Sequence, residues 1–353
     1  MKILHTADVH LRRNDDDRWA ALQAIVDLGK LKNIDLLAIS GDLFDSRADA
    51  RTLHAPLRRL FAKAGFRTCL IAGNHDADAF PEGAFLGEDV TVIRSLTEPL
   101  RLGGIWIWGL PYRDLPEESI LEQLHLAAKE APDPITHVLL YHGDLLDLAG
   151  GAGDYGDEGR RRYMPVKLAY FAELPWDYVL AGHLHARFDV RQYRAGGYFV
   201  YPGSPIAITR REHGERHVNL FHLGNAPAPH AMQTPHYRPL TITLDPFSKI
   251  DPVATVARHL RDLELHVRIL LSVDGYFDGE RVALTETELH NALTDLPGER
   301  VELVQADFRD IRDLRSDDLL RRCVERLDAM DLPPENRGEV VALLIRAMME
   351  TQP

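Results

Sequence analysis

Seven side chains able to hold a cation fall at or just past the ends of apolar runs. They are Asp8 and His10 in Asp8-Val9-His10, Asp42 in Gly41-Asp42-Leu43-Phe44-Asp45, and Asn74 in Gly73-Asn74-His75-Asp76. His142, before Gly143, and His183 and His185 in Gly182-His183-Leu184-His185 complete the set. Carboxylates, imidazoles and one amide oxygen, with no thiolate, suit manganese, iron or zinc better than a structural zinc knot. The count suffices for two ions, and a two-metal site with its ions about 3.5 to 4 Å apart activates water for hydrolysis. His75 beside Asn74 has the chemistry of a general acid that hands a proton to a leaving group.

The elements that must carry these residues alternate. Lys2 to Thr6 reads as a strand that delivers Asp8 and His10, which point the same way if the backbone there is extended. Trp19, Leu22, Ile25, Val26 and Leu28 recur at helical spacing, Leu36 to Ser40 is a buried strand, and Leu53, Leu57, Leu60, Phe61 and Ala64 mark a second helix. Thr68 to Ala72 is the next strand. Strands joined by helices predict an α/β fold with parallel strands, whose sites lie at the carboxyl ends of the strands. Val90 to Ile93, Pro99 to Leu102 and Ile105 to Leu110 continue as short strands. The helix Glu117 to Ala131 and the strands His137 to Tyr141 and Tyr178 to Ala181 follow.

Composition bounds the class. The 353 residues carry a formal net charge of -13, with 45% hydrophobic and 27% charged residues, as in an ordinary globular protein. An acidic balance disfavours a surface that is basic all over, but it leaves room for nucleic acid, because bound cations and local arginine clusters can meet phosphates. The two cysteines, Cys69 and Cys323, read as free thiols of a reducing compartment. With no apolar signal core before Lys2 and no run long enough to span a bilayer, a cytoplasmic protein with no membrane partner is expected.

Asp-X-His, Gly-Asp-X-X-Asp, Gly-Asn-His-Asp, a lone His and Gly-His-X-His together resemble the motif set of the calcineurin-like metallophosphoesterases, over roughly residues 1 to 223. That resemblance implies a β-sandwich flanked by helices. It also implies a bridging Asp42, with Asp8, His10 and His185 on one ion and Asn74, His142 and His183 on the other. In related phosphoesterases the aspartate at the position of Asp45 orients the histidine matching His75. Within the superfamily, Leu4-His5-Thr6-Ala7-Asp8-Val9-His10-Leu11, Gly41 to Asp45 and Tyr201-Pro202-Gly203-Ser204-Pro205 are similar to the nuclease subunit of SbcC/SbcD-type DNA-repair complexes. Asp76 after His75 also fits the nucleases, where protein phosphatases usually have Glu. The resemblance implies a manganese-dependent DNA exonuclease or endonuclease, two Mn2+ ions, DNA as substrate and an SMC-like coiled-coil ATPase as partner. Ala77 to Phe85 replaces a longer helix used by the nucleases in dimerisation, so homodimerisation stays open. Two alternatives also stay open: a phosphodiesterase or phosphatase acting on small molecules or phosphoproteins, and a binding subunit without turnover.

Arg12 and Arg13, and Arg160, Arg161 and Arg162 at the end of a Gly- and Asp-rich segment, read either as grips for a phosphate backbone or as solvated loop residues. Residues 224–236, rich in Pro and Ala, read as a linker after a domain of residues 1–223. Beyond it, the strands Leu240 to Leu244, Val267 to Val273 and Val301 to Ala306 and the helices Pro252 to Leu263 and Thr285 to Leu296 predict a small α+β domain over residues 237–312. Thr285 and Glu288 stand at capping-box spacing. The resemblance makes this a capping domain. Residues 313–353 read as two amphipathic helices joined at Pro333-Pro334, either packed on their own domain or, by the resemblance, bound to the ATPase coiled coil.

Overall fold

The structure, a computed structural model, describes residues 1–148, 162–261, 263–296, 298, 300–315, 317–330 and 333–351. Two compact units divide it, Met1–Tyr237 and Arg238–Pro353.

In the first unit the order is β1 (Lys2–Thr6), α1 (Asp17–Lys32), β2 (Leu36–Ser40), α2 (Arg47–Phe61), β3 (Arg67–Ile71), β4 (Val90–Val92), β5 (Leu100–Leu102), β6 (Ile105–Leu110) and α3 (Glu117–Lys129). It continues through β7 (Thr136–His142), α4 (Leu168–Phe171), β8 (Trp176–Gly182), β9 (Asp189–Arg194), β10 (Gly197–Tyr201), β11 (Arg216–His222) and β12 (Pro229–Met232). These strands form two six-stranded sheets, ordered β12-β11-β1-β2-β3-β4 and β5-β6-β7-β8-β10-β9. Strands β1 to β4 pair in parallel, as do β6, β7, β8 and β10, while β11, β12, β5 and β9 pair antiparallel.

Residues alternate between the two faces of each strand, so each sheet offers two apolar surfaces. Ile3, Leu36, Ala38 and Ile71 of one sheet meet Ile107, Val138, Leu140 and Leu180 of the other in a shared core. The opposite face of the first sheet packs Leu4, Leu37 and Ile39 under Leu22, Ile25, Leu53 and Leu57 of α1 and α2. The opposite face of the second packs Leu139 and Val179 under Ile120 and Leu124 of α3. The result is a β-sandwich flanked by helices, the architecture that the resemblance implies.

Residues 224–236 are more than a linker. Pro229–Met232 is β12, paired with β11 from Arg216↔Met232 to Asn219↔Pro229, because Met232 buries against the first core.

The second unit holds the strands β13 (His236–Leu244, which begins in the first unit), β14 (Val267–Phe277) and β15 (Val301–Asp310) in one sheet. Between them lie α5 (Pro252–His259), α6 (Gly279–Val282) and α7 (Glu286–Thr294). Val256, Leu289 and Leu293 cover the sheet residues Ile269, Leu271 and Val273, which makes the small α+β domain. Helix α7 starts with the capping box foreseen at Thr285 and Glu288. Helices α8 (Arg312–Arg315), α9 (Asp318–Asp328) and α10 (Pro334–Thr351) follow, with Leu314, Leu320, Val341 and Ile345 sharing a core that also takes in Tyr276 of β14. The hairpin thus packs on its own domain. No helix among the described residues is long and apolar enough to cross a membrane.

Candidate metal centre

Past their carboxyl ends, β1 and β2 run on side by side. Asp8 N donates to Gly41 O at 3.2 Å, His10 N to Asp42 O at 3.0 Å, and Leu11 N to Leu43 O at 2.9 Å. The backbone there is not extended as the sequence suggested: Asp8, His10 and Asp42 all lie in the left-handed region, at φ 55, 51 and 49, and His183 stands at φ 99. Such conformations cost side-chain-bearing residues on the order of 1–3 kcal/mol each, and surrounding structure must hold them. Here the hydrogen bonds between the two loops do so. Gly73 allows the third loop to come close, since a Cβ at that position would lie 2.2 Å from Asp42 Oδ1.

Asp8, His10, Asp42 and His185 offer ligand atoms within 4.8 Å of one another, all buried. His10 Nε2 lies 3.3 Å from His185 Nε2 and 3.7 Å from Asp42 Oδ2, and His185 Nε2 lies 3.9 Å from Asp8 Oδ1. On the other side of Asp42, His142 Nε2 stands 3.4 Å from Asp42 Oδ2 and 2.9 Å from Asn74 Oδ1. The His142 and His183 rings are 5.3 Å apart, and His183 N donates to Asp8 at 3.0 Å. All seven residues converge, and Asp42 touches both groups.

The residues fit divalent cations. Asp42 Oδ2 is buried without a hydrogen-bond donor among the described residues, although imidazole nitrogens surround it. Burial pushes the Asp8 carboxyl above its ordinary range. Burial would raise Asp42 as well, but His142, His10 and His75 hold it well below that range. Burial would lower His142, yet the Asp42 charge overrides it and lifts the imidazole to about 10. The Asp42 carboxylate and the surrounding imidazoles thus stabilise each other's charged forms, and a cation bound there would take the place of an imidazole proton.

The second nitrogen of each imidazole faces a further polar group. His142 Nδ1 donates to Ser40 O at 2.8 Å, and His10 Nδ1 lies 3.4 Å from Asp45 Oδ1. His185 Nδ1 donates to Glu212 Oε1 at 3.3 Å, and His183 Nε2 lies 3.6 Å from Asp144 Oδ1. Partners of this kind fix which nitrogen is left for a ligand role.

His75 is exposed beside the pocket, edge-on to His10 at 4.6 Å. Its backbone N donates to Asp42 Oδ1 at 2.9 Å, and its Nδ1 donates to the Asp45 carbonyl at 3.2 Å. Asp45 thus holds the ring through its backbone. Its carboxylate, expected to orient His75, instead accepts Arg12 Nε at 2.8 Å and Arg18 at 2.9 Å beside His10. Burial would raise that carboxyl, but His10 and the two guanidinium groups hold it far below the ordinary range. The reason is local: Ser46 caps α2 by accepting from Asp49 N, which turns the chain at Asp45. Asp76, wholly buried, accepts from Gly73 N at 2.7 Å and Phe44 N at 3.1 Å, tying two of the loops together.

Of the arginines singled out, Arg12 stands at the His75 edge on Asp45, and Arg162 lies 3.9 Å from Asp144 at the His183 edge, with both side chains more than half exposed. Arg13 pairs with Asp15 at 3.9 Å in the open loop. Arg160 and Arg161 lie outside the described residues. Sequence reasoning missed Arg18, Asp144 and Glu212. Asp144 follows His142 by two and stood in plain view. Arg18 sits inside a helix start, and Glu212 lies in an irregular loop with no spacing to announce it.

Residues 1–187 match the family model described as calcineurin-like phosphoesterase. Among curated proteins, the chain is 22% identical over 263 residues to an uncharacterized metallophosphoesterase, YhaO, of Bacillus subtilis, a match covering 67% of this chain and 60% of YhaO. It is 23% identical over 227 residues to the DNA double-strand break repair protein Mre11 of Saccharolobus solfataricus, covering 60% and 56%. It is 24% identical over 240 residues to the SbcD component of the nuclease SbcCD of Staphylococcus saprophyticus, covering 60% and 62%. The matches thus span less than two thirds of the length of these relatives.

Proposed function

This chain belongs to the calcineurin-like phosphoesterase family, and on that premise we propose that it is a two-metal phosphodiesterase that cuts DNA as the nuclease subunit of an SbcC/SbcD-type repair complex. The observation that carries the reading is the convergence of seven ligand residues beside an exposed His75, with Arg12 and Arg162 at opposite edges. Asp8, His10 and His185 would hold one ion and Asn74, His142 and His183 the other, with Asp42 shared. Two Mn2+ ions match the mixed carboxylate, imidazole and amide donors. When bound, they supply Lewis-acid neutralisation of phosphoryl oxygens and a water of lowered pKa.

This chain's own residues do the rest. Arg12, held by Asp45, and Arg162 grip phosphates on the two sides of the scissile bond. His75 donates its Nδ1–H to the Asp45 carbonyl, which orients the ring; in the imidazolium form the Nε2 proton then passes to the departing sugar oxygen and leaves the neutral Nδ1–H ring. Asp42 fixes the backbone of His75 and ties the acid to the metal pocket. The likeness to Mre11 and to SbcD supports DNA over a small diester; an SMC-like coiled-coil ATPase is the partner proposed for residues 313–353, engaged on the side of the hairpin that is not packed on its own domain.

The test is manganese-dependent degradation of linear and hairpin DNA by the full chain, beside His75→Ala. Cutting by the parent with loss in the variant is the expected result. Intact DNA with rapid turnover of a chromogenic phosphodiester, both without and with the ATPase partner, would move the assignment to a small-substrate phosphodiesterase.

A further inference from the structure

Two buried acids stand behind the metal pocket. Asp144 follows β7 and is 1% exposed, and Glu212 lies in the loop between β10 and β11 at 0%. Burying a carboxylate is costly unless hydrogen bonds and opposite charge compensate it, and both acids are compensated. Asp144 Oδ2 accepts from Tyr163 N at 2.9 Å and has Arg162 at 3.9 Å, while Oδ1 faces His183 Nε2 at 3.6 Å. Glu212 Oε2 accepts from Ser204 Oγ at 2.9 Å and Ile208 N at 2.8 Å. Its Oε1 accepts from Thr209 N and Thr209 Oγ1, each at 3.2 Å, and from His185 Nδ1 at 3.3 Å. The buried Arg216 guanidinium braces this loop through Ser204 O at 3.0 Å and the His185 carbonyl.

Neither acid reaches the centre of the pocket. Asp144 faces His183 and Glu212 faces His185, each from a different element. We propose that Asp144 and Glu212 are positioning residues that fix the tautomer and ring angle of His183 and His185, and that they thereby set the affinities of the two metal ions separately. The proposal rests on the two-metal reading given above. It also gives Ser204 in the Tyr201 to Pro205 stretch a physical role: Ser204 supports Glu212, and Glu212 supports His185.

The experiment titrates metal-free full-length protein with MnCl2, following heat and the manganese spin-resonance spectrum, with thermal unfolding of the metal-free forms as the folding control. The parent takes up two ions and gives a spin-coupled spectrum at saturation; a parent that takes up none refutes the two-metal reading itself. Asp144→Asn and Glu212→Gln are each expected to lose about 10- to 100-fold in affinity for one ion. Each keeps parental affinity for the other, so an uncoupled one-ion spectrum appears over a wide range of MnCl2. Ser204→Ala, which removes one hydrogen bond from Glu212 and leaves the acid in place, gives a smaller loss at the same ion as Glu212→Gln and serves if that variant does not fold. Two ions bound by every variant as by the parent would overturn the proposal, and so would equal weakening of both ions in each variant.

Discussion

His75 Nδ1 meets the carbonyl oxygen of Asp45 at 3.2 Å, so the imidazole ring is held by backbone and not by the neighbouring carboxylate. A backbone anchor survives side-chain substitution at residue 45. His75→Ala is therefore expected to lower turnover by about 10²- to 10⁴-fold, the usual worth of a general acid, with manganese content unchanged. Asp45→Asn should keep the His75 anchor and lose mainly its hold on Arg12 and Arg18. Steady-state kinetics with metal analysis checks both; loss of manganese in His75→Ala would put that residue among the ligands.

Arg12 and Arg162 flank the pocket with more than half of each side chain exposed. Replacing either with Ala should raise KM for DNA more than it lowers kcat. Each replacement should also reduce the salt dependence of DNA binding by about one phosphate contact, a change of about 1 in the log–log slope. Arg13→Ala, in the open loop against Asp15, should leave the slope as it is. Binding isotherms at several salt concentrations separate the three.

Asp8, His10, Asp42 and Asn74 hang from the first sheet, and His142, His183 and His185 from the second. Ions held between them fasten the sheets to each other. Chelation is expected to lower Tm and MnCl2 to restore it; at free metal near a thousandfold of Kd, one site alone contributes about 4 kcal/mol. An unfolding curve indifferent to both treatments would mean that the pocket holds no ion.

His5 is wholly buried on β1, with Nε2 3.0 Å from Ser40 Oγ and Nδ1 without a hydrogen-bond partner among the described residues, and burial lowers its pKa to about 3. The unfolded chain binds this proton near pH 6.5 and the folded one does not until about pH 3. Stability should therefore fall as pH drops through that window, by up to about 1.4 kcal/mol per pH unit from this group. His5→Gln keeps a donor for Ser40 and cannot titrate, so its urea midpoint should fall less between pH 7 and pH 5 than the parent's. Equal falls would trace the acid sensitivity to other groups.

The parallel strands β1 to β3 and β6 to β8 were legible because they are largely buried on both faces and read as apolar runs, as in Leu36–Ser40 and Thr136–His142, whereas the parallel strand Gly197–Tyr201 was not read. Two antiparallel edge strands were not, although a third, Leu100–Leu102, was. Asp189–Arg194 is polar and largely exposed, and Pro229–Met232 hides inside a Pro- and Ala-rich stretch. Ligands after strands shared that legibility, since a strand end followed by Gly-Asp or Gly-His announces itself. The acids behind them did not, because what puts Glu212 against His185 is the path of a loop, and no periodicity encodes that path. The backbone contact from Asp45 to His75 was not legible for a related reason: sequence names the side chain, but not that its carbonyl meets the ring.

The left-handed backbone at Asp8, His10, Asp42 and His183 sets this chain's folding against its chemistry. Glycine takes such angles at little cost, so a sequence selected for foldability alone would place glycine at these four positions and gain stability. That the chain carries acids and imidazoles there instead means that part of the energy of its large sandwich core is spent on keeping them cocked. A library screened only for thermal resistance should accumulate glycine at these four positions and, with it, lose the ions.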